Sequence, residues 1–99
     1  MIVVRNCFVA KPGCASKLAA MFKDVVVKNI VSAGLVKNAR VLTDMTGEFN
    51  RVVFEYEVAD MAGVDAMMRE YATNTKLKDQ MKGYTDLWIN GTRELMQVM

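Results

Sequence analysis

The stretch that most constrains this chain is Ile2 to Gly34, IVVRNCFVAKPGCASKLAAMFKDVVVKNIVSAG. Its first part, Ile2 to Ala10, places Val4, Asn6 and Phe8 on one face and Val3, Arg5, Cys7 and Val9 on the other. Both faces are largely apolar, so it reads as a central strand covered from two sides. Pro12-Gly13 then breaks the pattern. From about Cys14 to Ala33 the period changes to that of a helix. Leu18, Met21, Phe22, Val25 and Asn29 follow the i, i+3, i+4 spacing of one buried face. Val25-Val26-Val27 is a poor helical run by propensity, and packing must hold it. Gly34 followed by Leu35 reads as a left-handed C-cap with its hydrophobic contact.

The remaining chain repeats this logic more loosely. Asn38 to Asp44 and Arg51 to Ala59 read as strands joined by a turn at Thr46-Gly47-Glu48. In the second, Val52, Phe54, Tyr56 and Val58 alternate with Val53, Glu55 and Glu57, the clearest period-2 signal in the sequence. Asp60 is a candidate N-cap for a helix whose stripe is Val64, Met67, Met68 and Tyr71. Thr73-Asn74-Thr75 interrupts it. A further helical segment follows, with Leu77, Met81, Tyr84 and Trp88 on one face, ended by Gly91. Thr92 to Met99 is the last strand.

The order β-α-β-β-α-β predicts an α+β, ferredoxin-like domain spanning residues 1–99, with two helical regions over one face of a four-stranded antiparallel sheet. Ninety-nine residues leave no room for a second core. The opposite face would expose several apolar residues, which pairing of two sheets would cover, so a homodimer is expected.

Composition excludes several classes. A net charge of +2, with basic residues scattered among acids, does not make a nucleic-acid footprint. No apolar run approaches the roughly 18 residues of a membrane span. Arg5 and Asn6 interrupt the opening apolar run, which argues against a secretory signal and makes the cytoplasm the expected compartment. The sequence has no histidine, so Ser-His-Asp and Cys-His machinery and histidine ligation of metal or haem are excluded. No carboxylates have ligand-like spacing, and neither a metal nor a cofactor is expected. Cys7 and Cys14 are not in a CxxC arrangement and read as small buried or half-buried residues. Cys14, in the first turn of the first helix, is the one whose thiol the helix dipole could activate.

The strand-KPG-helix opening from Val3 to Phe22, RVVFEYEVAD at 51 to 60 and YTDLWINGTREL at 84 to 95 give the chain a resemblance to the dimeric α+β barrel superfamily. That group includes small antibiotic-biosynthesis-type monooxygenases and NIPSNAP-like proteins. The resemblance spans nearly the whole chain as a pattern of elements with few specific motifs. It implies sheets paired face to face into a barrel and a small-molecule pocket between sheet and helices. The haem-degrading branch uses an Asn on the first strand and a Trp and a His on the second helical region. Asn6 stands at the first of these positions, Tyr71 at the second and Met81 at the third. Without the histidine there is no proximal iron ligand, which speaks against haem degradation.

Cofactor-free oxygenases of the superfamily hold a phenol-like substrate in a dry cavity and stabilise its anionic form with hydrogen-bond donors. The resemblance therefore implies a small, largely apolar or aromatic ligand, with Asn6 as the candidate catalytic residue and Tyr71, Met81, Tyr84 and Trp88 as candidate binding residues. The competing reading is that the same stripe is packed core. Arg5, Arg40, Glu55, Glu57 and Arg93 are expected at the dimer interface or in the barrel interior. Glu55 and Glu57 share a face and could do acid-base work, or basic neighbours could simply neutralise them. Two functions follow: a metal-free, monooxygenase-like enzyme, or a non-catalytic ligand-binding or stress-response barrel.

Overall fold

β1 (Ile2–Ala10) lies between two partners in the computed structural model, which describes residues 1–47 and 49–99. The other strands are β2 (Lys37–Thr43), β3 (Arg51–Val58) and β4 (Trp88–Gln97). All pairings are antiparallel and the sheet order is β2-β3-β1-β4. The expected ferredoxin-like α+β architecture is present. Glu48, the third residue of the expected hairpin turn, lies outside the described residues. Of the rest of that hairpin, Asp44 accepts from the amides of Thr46 at 3.0 Å and Gly47 at 2.6 Å. Those bonds, with Arg51 nearby, hold its carboxyl below the ordinary aspartate value.

One face of the sheet is covered. Val4, Phe54 and Tyr56 are fully buried there against Leu18, Ile30 and Met67. The first helical region is continuous: α1 (Ala15–Met21), a π-helical stretch (Phe22–Val27) and α2 (Lys28–Ser32). Its buried line is Leu18, Phe22, Val26 and Ile30, with Met21, Val25 and Asn29 only half-buried. This differs from the sequence expectation, and the helix geometry explains the difference. Residues four apart drift about 40° per step around a helix of 3.6 residues per turn. The wider π turn at Phe22–Val27 takes up that drift and keeps the four residues over the sheet. The Val25-Val26-Val27 run thus lies in the stretch where helical geometry departs from α. At the end, Gly34 has φ +70°, its amide bonds Val31 O and the Leu35 amide bonds Ile30 O. That is the expected left-handed cap, complete with Leu35 packed on the core.

α3 (Met61–Thr73) starts where Asp60 accepts from the Gly63 amide at 3.1 Å, and α4 (Thr75–Gln80) starts where Asn74 accepts from the Leu77 amide at 2.9 Å. The Thr73-Asn74-Thr75 interruption is therefore a helix boundary with its own cap. The helix expected to run on to Gly91 does not. Gly83 turns the chain at φ +87°, a 3-10 turn follows over Tyr84–Leu87, and Trp88 already belongs to β4. The 4, 3, 4 spacing through Trp88 mimicked a helix because a helix, a turn and a strand placed their apolar residues on one core. Gly91 does not end an element but sits inside β4 opposite Phe8. A Cβ there would meet the Phe8 ring at 3.1 Å, so any other residue would press the ring back by a few tenths of an ångström.

The sheet's second face is uncovered in the chain by itself, the face that the sequence reading leaves for a second sheet. It carries Val3, Arg5 and Cys7 of β1 beside Val53, Glu55 and Glu57 of β3.

Candidate functional site

Alternation on the central strands builds the floor of a cavity of about 480 Å³ between the covered sheet face and the helices. Asn6 and Phe8 of β1, Phe54 of β3 and Arg93 of β4 reach it from the sheet. Phe22 and Val26 wall it from the π-helical stretch, and Met68 and Tyr71 from α3. Leu77 and Lys78 of α4 and the Met81–Thr85 segment line the remaining side, where the cavity opens to solvent. Its volume falls in the range of roughly 300–1,000 Å³ usual for small-molecule sites.

The aromatic side is a contiguous stack. Phe22 lies against Phe8 with ring centroids 5.0 Å apart, against Phe54 at 5.5 Å and edge-on to Tyr84 at 6.0 Å. The polar side centres on Asn6, which is 6% exposed. Its Nδ2 donates to the Phe54 carbonyl at 3.4 Å, while its Oδ1 accepts from Arg93 Nε at 2.8 Å. β-Sheet register produces this pair, since Asn6 stands directly opposite Phe54 on one side and Arg93 on the other. Arg93 Nη1 also lies 3.1 Å from Met68 Sδ. Among the described residues no carboxylate lies within ion-pairing distance of Arg93.

Burial pushes the Tyr71 phenol far above its ordinary value, and Tyr56 on the sheet is raised by the same cause. The Tyr56 hydroxyl is buried without a hydrogen bond of good geometry. Tyr71 and Tyr56 lie close enough to influence one another's ionisation, and Arg93 pulls both back downwards. Both phenols are therefore neutral donors at physiological pH and cannot act as bases. A phenol that stays protonated when folded and ionises near 10 when unfolded makes the native state less stable as pH rises above that value. Stability is expected to fall on the alkaline side of pH ~10, with a shallower fall in Tyr71→Phe. Chemical denaturation across that range checks it. An identical alkaline slope in the variant would mean that Tyr71 is not the buried proton holder.

The structure brings four of the sequence candidates together: Asn6, Tyr71, Met81 and Tyr84 all line the cavity. Trp88 does not line it. It packs on Phe8 at a centroid distance of 5.3 Å, and its indole nitrogen is buried without a partner. Arg5, Arg40 and Glu55 lie on the uncovered face, where the 7% exposed Glu55 carboxylate is held between Arg5, 3.2 Å away, and Arg40. Glu57 stands on the same face, opposite Val3 and Lys37. Arg5 also reaches Glu94 at 3.6 Å. Arg93 separates from this group, since its register with Asn6 places it on the cavity side.

Phe8, Phe22, Phe54 and Met68 are cavity residues that sequence reading did not single out, because core and pocket positions share one periodicity. Lys78 and Lys82 were missed too, since surface lysines carry no distinguishing pattern. For Arg93 a signal existed: the alternation of Thr92 to Met99 groups it with Leu95. Only the pairing with Asn6 says which side that group occupies. Cys14 is the N-cap residue of α1 and packs, half-buried, against the core. No group of three or more potential metal-ligating side chains occurs among the described residues.

No protein-family model and no curated protein matches the sequence. Solved structures do match it. An uncharacterized NIPSNAP domain protein from Burkholderia xenovorans superposes with a TM-score of 0.83 at 15% identity, over 100% of this chain and 95% of the other. A NIPSNAP family protein from Agrobacterium tumefaciens gives 0.81 at 9% identity, over 99% and 92%. An antibiotic biosynthesis monooxygenase gives 0.74 at 18% identity, over 100% and 99%. The fold is thus the one shared by NIPSNAP and antibiotic biosynthesis monooxygenase-like proteins, as the opening and hairpin sequences imply.

Proposed function

We propose that the chain forms a homodimer through its uncovered sheet faces and that each protomer binds a small, largely apolar or aromatic molecule in the cavity over Asn6. The observation that carries this reading is the cavity itself. Its walls are largely aromatic and aliphatic side chains, and on the sheet its polar group is the hydrogen-bonded Asn6–Arg93 pair. Metal-free, monooxygenase-like oxidation is the activity such binding would serve, as the fold shared with an antibiotic biosynthesis monooxygenase supports. The chemistry would then reside in a ligand that reacts with oxygen itself, while the protein orients it and supplies donors. The second reading, a non-catalytic ligand-binding barrel, is favoured by one observation: Tyr56 and Tyr71 are both held protonated and supply no base.

A thermal-shift series with flat aromatic phenols, quinols and fatty acids tests the pocket. A specific compound is expected to raise Tm dose-dependently by mass action. Oxygen uptake with that compound separates enzyme from binder, and no shift in any class removes the pocket reading. The dimer has its own test. Leu42 and Met96 are exposed and lie on the uncovered face near the Arg5–Glu55–Arg40 cluster. Sedimentation is expected to show a dimer that Leu42→Glu weakens at least tenfold, because a charge would be buried against the partner's sheet. A monomer in the unmodified protein at micromolar concentration would overturn it. Both cysteines are free, which fits a reducing compartment, and we place the protein in the cytoplasm.

A further inference from the structure

We propose that the cavity ligand is an amphipathic acid, an aromatic or medium-chain carboxylate whose anionic head is held by Arg93. This inference rests on the cavity being a small-molecule site and names the chemistry that it selects. Three observations converge on it.

The first is an imbalance of hydrogen-bonding groups. The polar side chains around the cavity are Asn6, Tyr71, Tyr84, Thr85, Arg93 and the lysines Lys78 and Lys82. Arginine and lysine only donate, and a buried neutral tyrosine offers its proton first. Asn6 Oδ1, the one amide acceptor among them, already accepts from Arg93 at 2.8 Å, and the tyrosine and threonine hydroxyls can donate as well as accept. A ligand rich in acceptors is what such a lining leaves room for.

The second is uncompensated charge. No carboxylate lines the cavity among the described residues, whereas Arg93, Lys78 and Lys82 all do. The contrast with the uncovered sheet face is sharp. There Arg5 and Arg40 share Glu55, and Arg51 lies 3.7 Å from Asp44. Among the described residues, every sheet arginine except Arg93 has an acidic partner. Arg93, Lys78 and Lys82 are exposed at the cavity's rim, where like charges raise the local concentration of anions.

The third is preorganisation. The guanidinium is fixed through Nε by a buried amide that is itself tied to the Phe54 backbone carbonyl. A carboxylate meeting the remaining donors therefore costs little side-chain ordering, and the planar fork matches it in two hydrogen bonds. Meanwhile the apolar body of the ligand has the Phe22–Phe54–Tyr84 wall to cover. No covalent step is involved.

Matched acid and amide pairs test the proposal by calorimetry on the intact protein: octanoate against octanamide, and cinnamate against cinnamamide. The acids are expected to bind roughly 10- to 100-fold more tightly than the amides, the range of a charge-assisted pair. Arg93→Gln should remove that preference by lowering acid affinity far more than amide affinity, and Arg93→Lys should keep part of it. Lys78→Gln with Lys82→Gln should lower acid affinity less than Arg93→Gln does. Measuring the melting temperature of each variant keeps unfolding separate from lost binding. Amides that bind as well as acids, or an acid preference that survives both Arg93 variants, would overturn the charge assignment and leave the pocket standing. Failure of acids and amides alike would overturn the pocket and this inference with it.

Discussion

Phe22→Ala is expected to cost about 3–5 kcal/mol of stability, the range for emptying a buried aromatic site. A domain of this size has roughly 5–15 kcal/mol in total, so the variant sits near the threshold of folding. The reason is position. Phe22 is 5% exposed and touches an aromatic ring from β1, β3 and the 3-10 turn at once. It also begins the π-helical stretch that keeps Val26 and Ile30 over the sheet. Its loss enlarges the cavity, and the surrounding rings can collapse into the space only in part. Urea unfolding of the two proteins measures the difference, with Phe22→Leu expected to recover most of it. A cost below about 1 kcal/mol would mean that the aromatic stack does not tie helix to sheet.

Asn6→Asp is expected to bind octanoate roughly 10- to 100-fold more weakly, with octanamide affected far less. The change adds no volume. It gives Arg93 a carboxylate at the position where an amide oxygen now lies 2.8 Å away. The guanidinium is then neutralised from within the protein, and an incoming acid meets a like charge as well as a spent partner. Asn6→Ala is a different perturbation. It frees the guanidinium from its anchor and should weaken both acid and amide through lost order. Calorimetry with the same two probes distinguishes the variants. Unchanged octanoate affinity in Asn6→Asp would show that the Asn6–Arg93 pair does not face the ligand's head.

The elements of this fold were legible because each carries its own local pattern. The strand-KPG-helix opening, the alternation of RVVFEYEV, the Asp60 cap and the Gly34-Leu35 stop all depend on neighbours within a few residues. One boundary and one buried face differ from the sequence reading where that locality fails. The Leu77–Trp88 stripe crosses a helix, a turn and a strand, and only the pairing of Trp88 with Ala10 separates them. Along the first helix, the buried line moved from Val25 and Asn29 to Val26 and Ile30, because a π turn changes the angle at which one α-helical turn follows another.

The candidate site was legible in part for the same reason. Residues such as Tyr71, Met81 and Tyr84 were accessible because family resemblance and helical spacing both point at them. Arg93 was not, since period-2 alternation divides a strand into two faces without saying which is covered.

By itself, the sequence determined an α+β fold, the order of its elements and an unusual polar residue, Asn6, inside an apolar strand, and it contains no histidine. These follow from composition and from periodicities of two and 3.6, which act over a few residues. Tertiary structure alone decided that Arg93 faces Asn6 while Arg5 and Arg40 face Glu55, because strand register joins residues more than eighty positions apart in the first case. It also decided that the aromatic stripe leaves a cavity where it could have closed into solid core. Packing volume is a sum over every side chain at once, and no local pattern records it.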